Sequence, residues 1–520
     1  MRAASMDVVL SRLAEMPFLD RLELASLAGL PESTTYQAVQ RLEGDELVAS
    51  VAHTPEHGPH AKRYSLTAEG VRRLAHNEGG TVDAILRSRP VSAQWQRILL
   101  ERLDSLAIVY SVIETISTVA VPVLVRLYRA HPLDAAVTIP DGRTIGIIRR
   151  GRTSDRTSFD TRLQKLLRGP LPGALLFVAP DETRLRNMRR RLTKLRVPVF
   201  IALERGAATA PVKDVVWQSP TVSARFDIQS IVNRHAVGGV VPREKAAARN
   251  SLPVSLGVAP ALAGTSTHLL PSALNPTDKR VLDVVADWPG VTLANARAIL
   301  GLKPSHFSQI AARLREADLI RAISLKGKRL VPSDRALGLM ARRDRASVSL
   351  ARTSWSPGRN AVFGKPVDWR AVPGRRLRQL LRHIEHTDTV HSYLARMISS
   401  ARHTGWDVLQ LDPPHRAARH FRDEHGQRSV HPDAFLVLSR GDKTKAYFLE
   451  YERRAVRPST MRKRLAPYLR YYSTTRPLDD QGVTPEVLIV VEDKIIAPHF
   501  RRIARTEMRR TGVHIPLNIP

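Results

Sequence analysis

Apolar residues fall at helical spacing early in the chain. Val8, Val9, Leu10 and Leu13 open one helix and Leu22–Ala28 predicts a second. Gly29-Leu30-Pro31-Glu32-Ser33-Thr34-Thr35 then reads as a turn into a third helix, Tyr36–Leu42. The pattern switches to strand spacing at Leu47–Val51 and again at Arg63–Thr67, around a segment rich in Pro, Gly and His. Ala68–Leu74 closes the unit as a helix. Three helices followed by a hairpin is the order of a winged helix, and it is expected over residues 1–75. Residues 276–341 repeat the plan. Thr277 caps a helix running to Ala286, Leu293–Leu300 is short, Gly301-Leu302-Lys303-Pro304-Ser305 is the turn, and His306–Ala317 is the third helix. Leu319–Leu325 and Arg329–Pro332 form the hairpin.

The segments behind each winged helix also match. Residues 373–520 read as a helix (387–403), strands at Trp406–Leu411, His431–Leu438 and Ala446–Tyr451, and a helix over 458–472. The strand Glu486–Val491, a helix near 495–510 and a strand Val513–Ile519 complete it. Residues 95–235 give the same order: a helix over 95–117, strands Ala120–Leu127, Leu133–Thr138 and Thr144–Ile148, then a helix near 157–168. The strand Ala174–Val178, the helix Glu182–Leu195 and the strand Val197–Leu203 follow. Pro132-Leu133-Asp134-Ala135-Ala136 and Val430-His431-Pro432-Asp433-Ala434 set the register between the two. Residues 236–275, rich in Ala, Pro, Gly, Ser and Val without a period, read as a linker.

Charge narrows the function. Of 81 basic residues only 14 are lysine, and the net charge is +32. So positive a chain collects polyanions, with nucleic acid the first candidate. With no cysteine, disulfides, thiol nucleophiles, cysteine-ligated zinc and iron–sulfur clusters are excluded. The first residues contain acids and lack a long apolar run, unlike a signal peptide. The most apolar stretch, Leu106–Val125, carries Glu114 and Pro122 and reads as a buried helix and strand rather than a membrane span. A cytoplasmic protein without membrane contact is expected. No P-loop, dinucleotide fingerprint or nucleophile elbow occurs.

The third helix of a winged helix enters the major groove. Candidate DNA contacts are therefore Ser33, Thr35, Tyr36, Gln37 and Arg41 in the first copy, and Ser305, His306, Gln309 and Arg313 in the second. Arg63 and Lys326, Lys328 and Arg329 are the wing candidates. The sharper signal is acidic. Asp433 begins one strand and Glu450 ends the next, with Glu452 on the same strand face as Glu450. Such acids need a cation or an arginine beside them, and oxygen-ligated Mg2+ at Asp433 and Glu450 would activate water on a phosphodiester.

The order of elements, with Pro432-Asp433 and Glu450-x-Glu452 after a hairpin, resembles the PD-(D/E)xK nuclease-like fold. With a winged helix ahead of it, Arg-x-Val-His-Pro-Asp-Ala-Phe, Phe448-Leu449-Glu450-Tyr451-Glu452-Arg453, Arg462-Lys463-Arg464-Leu465 and Tyr468–Tyr472, residues 276–520 resemble the replication-relaxation family, found in actinobacteria and on plasmids and phages. The resemblance implies an α/β fold with winged helices, a tandem duplication of winged helix plus PD-(D/E)xK-like module, and a role in replication, transfer or maintenance of a mobile element. The partners it implies are double-stranded DNA and replication or transfer proteins.

One departure separates two readings. The nuclease signature has lysine two residues after its second acid, where this chain has Glu452. Either Asp433, Glu450 and Glu452 form the catalytic set of a Mg2+-dependent nuclease or nickase, with Arg453, Arg462 or Lys463 supplying the positive charge, or the fold is inactive and binds DNA. The inactive reading is favoured, and a transcriptional regulator without catalysis is a further alternative. In the first copy Asp134 aligns with Asp433, but Ile147-Ile148-Arg149-Arg150 replaces the acids, so no chemistry is expected there. Arg453, Arg462 and Lys463 are also candidate backbone contacts. His383, Glu385, His386 and Asp388 read as a helix cap and surface, with Glu385 or Asp388 as a spare acid.

Overall fold

The computed structural model describes residues 2–520 except 154–155, 247–249, 258–260, 359–365, 425, 453–456 and 494. It is a mixed α/β protein with several sheets. The chain divides into two compact units, residues 1–279 with 337–351, and 280–336 with 352–520. Among the described residues no helix is long and apolar enough to cross a membrane.

The first unit opens with helices Arg2–Glu15, Arg21–Ala28 and Glu32–Gly44, the hairpin of β1 (Val48–His53) and β2 (Ala61–Leu66), and the helix Ala68–Asn77. Asp20 caps the second helix with a reciprocal Glu23 bond, and Gly29 ends it in the left-handed region (φ 63°), where a side chain would be strained. Residues 95–117, expected as one helix, form two, Ala93–Glu101 and Leu103–Ser117, broken at Arg102.

Next come β3 (Leu124–Leu127), β4 (Ala135–Thr138), β5 (Thr144–Arg149), β6 (Ala174–Ala179), β7 (Val199–Leu203), β8 (Trp217–Gln218) and β9 (Arg225–Phe226), a single sheet in that order. β3–β5 are antiparallel, β5–β7 parallel, and β8–β9 an antiparallel edge hairpin. Side chains alternate between two cores. Ile145, Ile147, Leu176 and Val178 pack on the side of helix Leu103–Ser117. Ile148, Leu175 and Phe177 pack with Leu163, Leu185 and Met188 from the helices Arg156–Arg168 and Glu182–Leu192. The linker candidate is tied to this unit. The amide of Thr144 donates to the Val237 carbonyl, and Gln96 exchanges two hydrogen bonds with the Val254 backbone.

The second unit holds helices Leu293–Leu300 and Pro304–Glu316, with β10 (Val291–Thr292), β11 (Ile320–Ser324) and β12 (Lys328–Pro332) as a three-stranded sheet. Thr292 and Gly301 (φ 69°) repeat the capping roles of Asp20 and Gly29. After helix Ile384–His403 come β13 (Asp407–Asp412), the hairpin β14 (Arg419–Asp423) and β15 (Gly426–Val430), β16 (Ala434–Arg440), β17 (Lys443–Glu452), β18 (Glu486–Val491) and β19 (Leu517–Asn518). The five-stranded sheet runs β13-β16-β17-β18-β19, antiparallel to β17 and parallel beyond. Strand order and sense equal those of β3–β7. Phe435, Phe448, Val487 and Ile489 pack under helices Pro458–Tyr472 and Ile496–Thr511. Leu436 and Leu438 pack with Ala395 and Ile398 of helix Ile384–His403.

Candidate functional site

In each helix–turn–helix segment the third helix buries one face and leaves the other open. Thr35, Ala38, Val39 and Leu42 are buried in the first, and Phe307, Ile310, Ala311 and Leu314 in the second, the spacing of an amphipathic helix. The glycine that precedes each helix and the left-handed residue that follows it (Glu46, Asp318) align the two without a gap. In that alignment Ser33 matches Ser305, Gln37 matches Gln309 and Arg41 matches Arg313, and all six side chains are exposed. Tyr36 and His306 are exposed as well, Tyr36 with the Arg21 guanidinium 5.2 Å from its ring.

Thr35, Arg63 and Arg329 are not on the surface where the sequence pattern puts them. Thr35 is buried, and its hydroxyl donates to the Pro31 carbonyl at 3.1 Å, so it cannot reach DNA. Arg63 is buried too. Its guanidinium lies 2.9 Å from Glu23, and it also donates to His53 and the Phe18 carbonyl. Arg329 is buried against Asp388 at 2.7 Å and donates to the carbonyls of Leu325 and Lys326. The cause is strand alternation. Arg63 stands opposite Val51 and Arg329 opposite Ile323, both inward positions of the hairpin. Lys326 and Lys328 are exposed, and Lys326 pairs with Glu385.

The three acids of the second unit meet at the end of β16–β17. Asp433 follows the turn into β16, and its amide donates to the Leu449 carbonyl at 2.8 Å. Its Oδ2 accepts from the amide of Tyr451 at 2.8 Å, and its Oδ1 lies 3.0 Å from His386 Nε2. Glu450 Oε1 accepts from the buried Tyr468 hydroxyl at 2.6 Å. Burial, and then the Asp433 charge, push the Glu450 carboxyl up to about 8. Arg464 reaches Glu452 at 3.3 Å and Glu450 at 3.8 Å. Tyr468 and Arg464 lie four residues apart on helix Pro458–Tyr472, so one helical face serves both carboxylates. Arg462 is drawn to Glu507 at 3.3 Å, Lys463 is exposed, and Arg453 lies outside the described residues.

His386 is a site residue that sequence reading assigned to the surface. It lies on the first turn of helix Ile384–His403, and only the packing of that helix beside β17 brings it to Asp433. Glu385 and Asp388, weighed as spare acids, are ion-paired with Lys326 and Arg329.

The donors do not fit a resident Mg2+. As placed, the donors are committed to protein partners: both Asp433 oxygens are engaged, Glu450 accepts from Tyr468 and Glu452 faces Arg464. Among the described residues no group of three or more His, Asp or Glu side chains is placed to hold a metal.

The first unit repeats the backbone of this site with different chemistry. The amide of Asp134 donates to the Ile147 carbonyl and its Oδ2 accepts from the amide of Arg149, as Asp433 does with Leu449 and Tyr451. Ile148 therefore stands at the place of Glu450, and Arg150 at that of Glu452. Arg162 and Arg345 flank Asp134 at 2.9 and 2.6 Å. Against the effect of burial, they hold its carboxyl well below the usual carboxylate range. Arg149 is buried between Glu204 (2.9 Å) and Asp344 (2.8 Å). This is an internal ion network with no acid left to act.

Comparison with known protein families, curated proteins and solved structures finds no match to this chain.

Proposed function

We propose that this chain binds duplex DNA through two winged-helix segments that read two similar half-sites. The observation that carries the reading is the repeated Ser/Gln/Arg set, Ser33, Gln37 and Arg41 beside Ser305, Gln309 and Arg313, exposed at matching positions of two third helices. Glutamine bonds adenine edges, arginine bonds guanine, and serine bonds bases or phosphates. Burial does not require polar residues at exposed positions, so packing alone does not account for the same three recurring in both copies. The net charge of +32 supplies the sequence-independent attraction. The two sheets, alike in order and sense, support an internal duplication of a PD-(D/E)xK-like module. The role we propose for it is a non-catalytic platform, because Tyr468 and Arg464 occupy the carboxylates and Glu452 stands where the nuclease signature has lysine. The resemblance to the replication-relaxation family supports a role for this DNA binding in replication, transfer or maintenance of a mobile element, with replication or transfer proteins as further proposed partners.

Two measurements test the reading. In fluorescence anisotropy against a site selected from random duplexes, Gln37→Ala/Arg41→Ala and Gln309→Ala/Arg313→Ala are each expected to weaken binding by tenfold or more, at about 1–3 kcal/mol per lost base contact. Each pair should also relax specificity in its own half-site. Unchanged affinity in both variants would overturn the assignment. On supercoiled plasmid with Mg2+ or Mn2+, the native chain is expected to bind without nicking. Nicking by the native chain that disappears in Asp433→Ala/Glu450→Ala would restore the nuclease reading.

A further inference from the structure

The first α/β sheet ends in an antiparallel hairpin, β8–β9. Trp217 anchors it, buried in the core opposite Phe226. This hairpin walls a cavity of about 380 Å³ against the start of helix Glu182–Leu192 and the end of β7. The cavity thus lies beyond the carboxyl ends of parallel strands β6 and β7, where open α/β sheets place their ligands, and its volume is that of a small-molecule site.

The lining has one sign of charge. Arg186, Arg189, Arg205 and Arg225 border the cavity with a single carboxylate, Glu182, which lies 2.8 Å from Arg186. Arg189 donates through Nε to the Pro220 carbonyl at 3.3 Å. Arg205 and Arg225 are exposed, and among the described residues no ion pair engages them. Once Glu182 is matched to Arg186, three guanidinium charges remain around one opening. Guanidinium groups around one opening favour an anion, and their planar forks suit phosphate oxygens. The rest of the wall is apolar, with Leu185 and Leu203 inside and Val215 and Val222 at the rim, each valine more than half exposed. Ser219, Ser223 and Gln218 add neutral hydrogen-bonding groups. A ligand matched to this wall has a polyanionic end and a flat, largely apolar body with a few polar edges.

We propose that this pocket binds a nucleoside diphosphate, the diphosphate on Arg189, Arg205 and Arg225 and the base against the valines. None of its lining residues belongs to the third helices proposed to read DNA, so neither proposal needs the other. The pocket gives a role of its own to the first module, which has Ile148 and Arg150 where the second has Glu450 and Glu452.

The test is calorimetric titration of the full chain with ADP, GDP, CDP and UDP at physiological salt, beside inorganic pyrophosphate and a 5′-phosphorylated single-stranded oligonucleotide. Saturable one-to-one binding of at least one nucleotide, tighter than pyrophosphate, is expected. Arg205→Gln/Arg225→Gln should weaken it by about tenfold or more, while Gln309→Ala/Arg313→Ala should leave it unchanged. Both arginines are exposed, so an unchanged melting midpoint checks that the variant is folded. Absence of saturable nucleotide binding, or equal affinity in native chain and Arg205→Gln/Arg225→Gln, would overturn the proposal. So would tighter binding of the oligonucleotide or of pyrophosphate, which would assign the pocket to DNA ends or to phosphate alone.

Discussion

Arg63→Met is expected to loosen the first helix–turn–helix segment by about 3–5 kcal/mol, the usual cost of leaving a buried charge without its partner. Both side chains of the Arg63–Glu23 pair are only 4% exposed. Burial pushes the Glu23 carboxyl up to about 7 even beside that guanidinium, so without it Glu23 must take a proton or leave the core. Glu23 also closes the capping box on Asp20, which couples the loss to the start of the second helix. Hydrogen–deuterium exchange over residues 2–77 reads the effect locally, as suits a chain of two units. Glu23→Gln in the Arg63→Met background should recover much of the loss, because it removes the stranded charge. Normal exchange protection with weakened DNA binding in Arg63→Met would instead return Arg63 to the DNA surface.

Glu450→Gln is expected to stabilise the second unit, and to do so only at higher pH. In the folded chain the Glu450 carboxyl titrates at about 8, against an ordinary 4.5. Between those values the unfolded chain releases the proton and the folded chain keeps it, so native stability falls as pH rises through the window. Glutamine cannot ionise and still accepts from Tyr468. The variant should match the native chain near pH 4.5 and exceed it by about 2–4 kcal/mol near pH 8, at about 1.4 kcal/mol per unit with a discount for partial exposure. Exchange protection of the β17 amides against pH measures this. A flat profile in the native chain would show that Glu450 is not held protonated. Millimolar Mg2+ that restores native protection at pH 8, with no effect on Glu450→Gln, would show that a cation occupies the acids after all.

The positions of elements were more legible than their contacts. Helix Pro276–Asp287 and strand β18 stand where periodicity puts them, because that signal is local, although Asn275 rather than Thr277 caps the helix. Other strands shortened: residues 513–519 give only Leu517–Asn518, where pairing with β18 sets the extent. The hairpin β14–β15 was not read, since Arg419–Val430 is polar and basic and carries no clear apolar alternation. At the candidate site, Asp433, Glu450 and Glu452 were legible because their spacing along two paired strands is a sequence property. His386 was not, because its approach to Asp433 depends on helix packing. Arg63 and Arg329 were misplaced for a related reason: a hairpin's loop suggests exposure, whereas the parity of the strand decides which side an arginine takes.

Those two inward arginines give the hairpins different mechanical attachments. Arg63 ties its hairpin to Glu23 on a helix of the same segment and, through His53, to Asp104 on helix Leu103–Ser117. Arg329 ties its hairpin to Asp388, and Lys326 to Glu385, on the first turns of helix Ile384–His403. His386, the partner of Asp433, lies between those two acids. The second hairpin and the carboxylate cluster are therefore anchored on the same first turns of one helix, within two residues of each other.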